Sequence, residues 1–596
     1  LRLNGQAPNR ISSTQLAQVG GNTEGDGGGG ALTLISRIGD AITNELRAGY
    51  TVDESASNPF LSGVPAGRVQ NVSVLEDGSL STSIFGFGGN NGLPQTTLNR
   101  GLEVSEEVSF FSPTAAHRYR VGVLYSTQSF EQDLTTNRYG TFTYNSLAAF
   151  AAGTPSQFTR TLSPTLREGT SSNAAIYLSD VWRPTGNLQL TYGGRLERSW
   201  FGGAPERNTV AEERFGVRTD VLPTETAFTP RLGFSYSIAA AEQRGQSQRG
   251  FAPPLVTIRG GVGLFRGTMP STIPGTAQAQ SGLVNTEAQL VCVGDAVPTI
   301  DWSALASGAG SIPTACAGAP TPANAGVPNI TTYASDYGAA RTLRASLGAS
   351  RRFWDTWSLN LDMSYTRGYD QSASRDLNLR AEPVFTLAGE DARPVYADPS
   401  RIVASTGAIP LSASRLDDAF GRVNLVTSQL ENQTVQFTTS VSTFLRRGAS
   451  VNLSYSWMRS TDQGGSGGGG GGFGGGRGGL GGGFTAGGAI ATPGDPNAFL
   501  WARSSNERTH NIQANITWPF SQSFEVTAIG RMTSGQRYTP MVAGDINGDG
   551  SRNDIAFVYD PATASDPAVA AGMENLLSSL DGNDRACIHS QLVSVA

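Results

Sequence analysis

The sequence predicts an all-β chain, a transmembrane antiparallel β-barrel with long extracellular loops. Three observations predict it. Stretches alternate apolar and polar residues, connections alternate short and long, and charge is sparse without any helix-length apolar run. Charged residues make up 15% of the 596, below the roughly 25% of soluble domains. No apolar run reaches the about 18 residues that a transmembrane helix requires. The formal net charge of -6 argues against nucleic acid as a partner, because nucleic-acid binders carry basic patches. All 43 basic residues are Arg and none is Lys, a bias best assigned to codon usage.

Residues 187–200, NLQLTYGGRLERSW, set the strand pattern. Leu188, Leu190, Tyr192 and Leu196 share one face; Gln189, Thr191, Arg195 and Glu197 share the other. Side chains alternate across a strand with period two, so one face is apolar and one polar. In a barrel the apolar face turns to lipid and the polar face to the lumen. Leu190 and Tyr192 are therefore expected outside, Thr191 and Arg195 inside. The same alternation runs through LGFSYSI (232–238), WSLNLDMSY (357–365), TVQFTTSVSTFL (434–445), VNLSYSW (451–457) and NIQANITW (511–518).

Short connections lie at 39–43, 112–117, 183–187, 351–356, 446–449 and 519–522. Long ones lie near 53–97, 133–169, 202–225, 267–339, 367–432, 460–507 and from 535 onward. Outer-membrane barrels join their strands by short periplasmic turns and long external loops, which predicts this alternation and about 14 spans. Two stretches strain it. FGRVNLVTSQL (420–430) also reads as a strand and is taken as an extension above the membrane. The connection 239–253 is long for a periplasmic turn. Trp182, Trp200, Trp354, Trp357, Trp457, Trp501 and Trp518 are placed at or near strand ends, where interfacial girdles sit. The Gly-rich run 464–484 cannot bury enough apolar surface to order itself and reads as a flexible extracellular loop.

Chemistry is sparse. His117, His510 and His589 have no partner at catalytic or metal-ligand spacing, so no catalytic residue and no enzyme activity is expected. Cys292 and Cys316 share one Gly/Pro/Ala-rich segment and read as a loop-closing disulfide of an oxidising compartment, two free thiols being the alternative. Cys587 is left over. The one sharp motif is DINGDGSRND (545–554). Asp545, Asn547 and Asp549 match the first three ligand positions of a calcium loop, and Gly550 takes its tight turn. Position twelve is Ala556 instead of Glu, so Asp554 would complete the shell by a different wrap. Plain turn chemistry with Asp, Asn and Gly is the alternative.

Several segments together resemble one family. YLSDVWRPTGNLQLTYGGRLE (177–197), FTPRLGFSYS (228–237), IRGGVGLFRG (258–267) and SGQRYTPMVAGDINGDGSRNDIAFV (534–558) are similar to the barrel of TonB-dependent outer-membrane transporters. GTFTYNSLAAFAAGTPSQFTRT (140–161) and DRACI (584–588) resemble the Oar-like group among them. The resemblance implies a 22-stranded barrel closed by an N-terminal plug, with a TonB box contacting the TonB–ExbB–ExbD complex. It also implies residence in outer-membrane lipid, energised passage of a large or scarce solute, and no required cofactor. Plug, TonB box and a closing C-terminal strand are not legible. Residues 1–596 are therefore expected to be a barrel fragment. A surface adhesin or passive porin-like barrel without TonB coupling is the alternative function, and a secreted soluble β-protein a third.

Overall fold

In the computed structural model the described residues are 2–6 and 14–589, with gaps at 40, 75–79, 163–165, 239–254, 284–287, 308, 319–326, 354–355, 391, 405–406, 408, 446–447, 464–491, 522, 536, 538, 543, 552, 565, 583–584 and 587. The 239–253 connection, the Gly-rich run 464–484, Trp354 and Cys587 lie outside them.

Fourteen long strands follow one another as an antiparallel meander. They are β1 (Gly21–Ile38), β2 (Ile42–Pro59), β3 (Gln95–Phe111), β4 (His117–Asp133) and β5 (Arg167–Thr185). Next come β6 (Leu188–Gly202), β7 (Glu225–Ile238), β8 (Val256–Arg266), β9 (Arg341–Phe353) and β10 (Trp357–Asp376). The series ends with β11 (Val423–Phe444), β12 (Ser450–Asp462), β13 (His510–Ser521) and β14 (Phe524–Thr533). Each pairs with the next. The segment Arg2–Gln6 pairs along β1. At the far side β14 pairs with β13 and with no other described strand, so the sheet is not closed.

Register explains why the sequence alternates. Across the sheet, Leu178, Ile176, Leu196, Phe228, Leu232 and Met363 fall on one face, and each is exposed. A soluble sheet would press such a face onto a core. Here it stays uncovered, as a lipid-facing band does. The 420–430 stretch is a strand from Val423: β11 runs unbroken from there, and its first residues pair in parallel with the short strand Ile330–Tyr333. Trp457 departs from expectation. β12 continues five residues past it to Asp462, so Trp457 sits mid-strand opposite Phe437 and His510.

The buried core lies in the long connections, which fold into a cap. Pieces of three of them form a six-stranded sheet, including Ala66–Val74, Leu80–Gly88, Thr141–Tyr144, Gln157–Leu162 and Ala288–Val293. Phe142, Tyr144, Phe158, Val69 and Leu290 pack beneath it, each burial contributing about 1.5–3 kcal/mol for a large apolar side chain. Trp302 donates its indole N–H to the Tyr144 hydroxyl at 3.1 Å. A second cluster joins Ala211, Ile330, Phe420 and Val423. Its helix Thr209–Phe215 starts at Asn208, whose side chain accepts from Ala211 N–H, and stops at Gly216 in the left-handed conformation. Asn208 also donates to the Ser281 carbonyl at 2.9 Å, tying two connections together.

Candidate functional site

The polar face of the sheet is the first candidate. Thr191 and Arg195 lie on it, and Leu190 and Tyr192 on the opposite face, because the β6 register separates them. Neighbouring strands place matching groups around Arg195. Its Nε donates to Glu197 at 3.2 Å, and Asn173 donates to the same carboxylate at 2.6 Å. Ser199 donates to Asn173 at 2.8 Å. Arg266, almost wholly buried, donates to Ser199 at 3.0 Å and to Glu225 at 2.7 Å. Lower on the same face the Tyr177 hydroxyl donates to Glu107 at 2.9 Å. Paired charges and hydroxyls of this kind suit a wetted lumen and would be costly against hydrocarbon.

Further round, β11 to β14 form an open trough of about 400 Å3. Ser440, Asn452, Ser454, Gln513, Asn515 and Arg531 line it. Hydroxyls and amides there both donate and accept, and Arg531 adds one fixed positive charge, so the wall can hold water or a polar solute.

The apolar face carries polar groups that the sequence did not flag, Asp180 and the Asn44–Glu106 pair at 2.8 Å among them. Asp180 is buried on it near the short-turn end. Its Oδ2 accepts from the Tyr192 hydroxyl at 2.7 Å and lies 2.7 Å from His117 Nδ1. The His117 ring stacks between Tyr119 and Trp182, at 5.4 and 5.5 Å between centroids. An interfacial aromatic belt shields the carboxylate. The only sequence signal was the clustering of His and aromatics beside two short turns.

The predicted metal residues come together in one buried loop. Asn547 and Asp554 are fully buried and Asp549 nearly so. Asp545 accepts from the Gly548 and Gly550 amides, both at 2.7 Å. Those two glycines stand at φ 77° and 83°, a backbone region that side chains disfavour. Asn547 accepts from Asp549 N–H at 2.9 Å, Asp549 from Ser551 N–H at 2.6 Å, and Asp554 from Ile546 N–H at 2.8 Å. Asp554 also faces Arg393 at 3.5 Å. Arg415 donates to the Asp549 carbonyl at 2.8 Å, and Arg422 to the Ser551 hydroxyl at 2.7 Å, latching the loop onto the β10–β11 connection. Burial, then the Asp549 charge, pushes the Asp545 carboxyl up to about 7. These oxygens serve the loop's own amides. Among the described residues no group of three or more His, Cys, Asp or Glu is disposed to hold a metal ion.

Cys292 and Cys316 are bonded, with Cα atoms 5.5 Å apart, and Cys292 lies in the core of the six-stranded sheet. Glu507 was missed from sequence. It is fully buried between β12 and β13, accepting from Ser460 N–H, Arg503 Nε and the Thr509 hydroxyl at 2.8 to 2.9 Å. Burial alone would raise its pKa. Arg503 and these donors outweigh that and hold the carboxyl at about 2.

A family model described as an outer membrane beta barrel domain matches residues 2–574. The chain belongs to the outer membrane beta barrel domain family. It is accordingly a bacterial outer-membrane barrel protein. Several solved structures of outer-membrane receptors and transporters are similar to the chain. The outer membrane transporter YddB from Escherichia coli is 10% identical with a TM-score of 0.45, over 86% of this chain and 50% of that one. The FrpB iron transporter from Neisseria meningitidis is 11% identical with a TM-score of 0.40, over 86% and 51%. The siderophore receptor PirA from Acinetobacter baumannii is 11% identical with a TM-score of 0.41, over 87% and 52%. The chain thus spans about half the length of these barrel proteins. No curated protein matches it in sequence.

Proposed function

We propose that this barrel domain is the membrane part of a TonB-dependent, Oar-like receptor that takes up a large or scarce solute with energy from TonB–ExbB–ExbD. The supporting observation is the combination of a polar inner face on fourteen strands with a folded cap over their long-connection end. A passive porin needs an open mouth, whereas a receptor needs a shaped external surface that selects before passage. The alternative, an adhesin or passive barrel without TonB coupling, keeps the cap and dispenses with energisation. The test uses the intact gene product in its own outer membrane. Uptake of a cognate solute that stops when the proton gradient is collapsed supports the receptor. Steady ion conductance in planar bilayers, indifferent to TonB, supports the porin-like reading instead.

We propose calcium as the ligand of the Asp545 loop as a second, separate reading. Asp545, Asn547 and Asp549 would exchange amide bonds for the cation, and Asp554 would complete the shell. Support comes from the 545–554 pattern and from carboxyls buried at one place. The cation would pin an external loop and take no part in passage. Extracellular calcium modules bind at roughly 0.1–1 mM, so calcium titration over that range, followed by proteolysis of the loop, is the test. Equal protection of wild type and an Asp545→Ala, Asp549→Ala variant sinks it.

A further inference from the structure

The short-turn rim of the outward face holds an acid that no arginine answers. Phe110, Tyr119, Asp180 and Tyr192 lie side by side in one row across β3 to β6. Three of them are aromatic, as an interfacial girdle requires. Asp180 is the exception. Its side chain is only 5% exposed, yet its Oδ1 has no hydrogen-bond partner among the described residues. Oδ2 takes both neighbours, the Tyr192 hydroxyl and His117 Nδ1. The described outward positions in the short-turn half of β2 to β6 include no arginine, and Glu106, paired with Asn44, is the one other acid among them. A buried carboxylate that is only half answered is costly, and a cation beside it offsets that cost.

We propose that His117 and Asp180 form a site for the ammonium group of an amine-bearing phospholipid in the leaflet on the short-turn side. His117 is the first residue of β4 and so stands at the rim. Asp180, in register with Tyr119 two residues further on, lies about 5 Å deeper. The short turn fixes the His117 backbone: its N–H donates to Ser112 Oγ at 3.1 Å, and its carbonyl accepts from Ser112 N–H at 3.0 Å. The parallel Tyr119 and Trp182 rings fix its imidazole. An ionised carboxylate only accepts, so Nδ1 carries the hydrogen toward Asp180, and Nε2 of the neutral ring presents its lone pair. A carboxylate behind an imidazole also raises the basicity of the other ring nitrogen. The His117 side chain keeps 28% exposure, and no described residue pairs with its Nε2. A primary ammonium brings both things the site lacks, an N–H donor for Nε2 and a positive charge for Asp180. A phospholipid carries that group to the rim of the apolar band, where His117 stands. A quaternary ammonium brings the charge without the N–H, and an anionic headgroup brings the wrong charge.

The test places the full protein in phosphatidylglycerol nanodiscs doped equally with phosphatidylethanolamine and phosphatidylcholine. Retained lipid is read by native mass spectrometry, with free ethanolamine as a competitor. Wild type is expected to retain phosphatidylethanolamine about tenfold over either other lipid. His117→Phe keeps the ring stack and removes Nε2; Asp180→Asn keeps the shape and removes the charge. Both are expected to lose the preference, and Glu106→Gln, on the same face, to keep it. Equal retention of the ethanolamine and choline lipids by wild type overturns the proposal without needing any variant to fold, because it removes the need for an N–H donor. Loss of the preference in Glu106→Gln overturns it too, since the general charge of the face would then decide. Full displacement by millimolar free ethanolamine would make this a soluble-amine site and overturns the lipid assignment. Insertion without any headgroup preference refutes the site and leaves the outer-membrane barrel standing.

Discussion

Charge placed on the outer face should cost stability in proportion to depth, and the structure ranks the positions. Leu178 lies opposite Gly194, six residues above the lower end of β6. With a rise of about 3.3 Å per residue and a tilt near 40°, that is about 15 Å into a band about 25 Å tall, close to its centre. Leu190, two residues from the same end, is only about 5 Å in, beside the girdle. Thr191 is exposed on the opposite, inward face. Arginine at the midplane costs about 2–4 kcal/mol, and near an interface about 0–1 kcal/mol. Leu178→Arg should therefore destabilise the intact protein by about 2–4 kcal/mol, Leu190→Arg by about 1 kcal/mol or less, and Thr191→Arg hardly at all. The assay is urea unfolding from lipid vesicles, with heat-modifiable gel mobility reporting the folded fraction. Thr191→Arg unfolding at lower urea than Leu178→Arg would mean that the two faces are assigned the wrong way round. Equal effects of all three would mean that neither face meets lipid.

Reducing the Cys292–Cys316 bond, which closes a 24-residue separation, should weaken the six-stranded cap sheet by about 3 kcal/mol; Cys292→Ser, Cys316→Ser protein should be cut in the cap by protease while the strands stay protected. Glu507 is held at about 2, below its ordinary 4.5, so its contribution is present above the ordinary value and is lost as pH falls through about 2. Amide protection between β12 and β13, taken relative to the intrinsic exchange rate at each pH, should fall over that acid range in wild type and stay flat in Glu507→Gln. Asp545 is raised from 3.8 to about 7, the opposite sign: stability present below the ordinary value is lost as pH rises through 7. Loop proteolysis without added cation should grow between pH 4 and 7 in wild type and stay flat in Asp545→Asn; added calcium at about 1 mM should reverse the growth if the loop binds it.

The strands were legible because a barrel wall is a local pattern. Each of Leu188, Leu190 and Tyr192 needs only its own parity to declare its face, and each short turn interrupts that parity at a fixed place. The early start of β11 at Val423 was legible for the same reason. The cap was not. Its strands run two to nine residues and pair far along the chain, as Ala66–Val69 does with Thr141–Tyr144 and Cys292 with Phe158. No short window of sequence carries such pairings. Trp457 misled because the oily run stops there while the backbone ladder continues to Asp462. Asp180 was invisible because its partners arrive from other strands, and Glu507 because the Ser460 amide that meets it lies 47 residues away on β12. The Asp545 residues were found by spacing alone, which could not foretell that Arg393, Arg415 and Arg422 would close around them.

Among the described residues no strand covers the second side of β14, and that bears on how the sheet meets a membrane. Ten residues long, that edge turns about five backbone N–H groups away from β13. In water each would be solvated at little cost. In hydrocarbon each unsatisfied group costs several kcal/mol, so an open ribbon has no stable place in a bilayer. Pairing of that side and contact of the outer face with lipid are therefore coupled: hydrocarbon tolerates the sheet only where those N–H groups have acceptors.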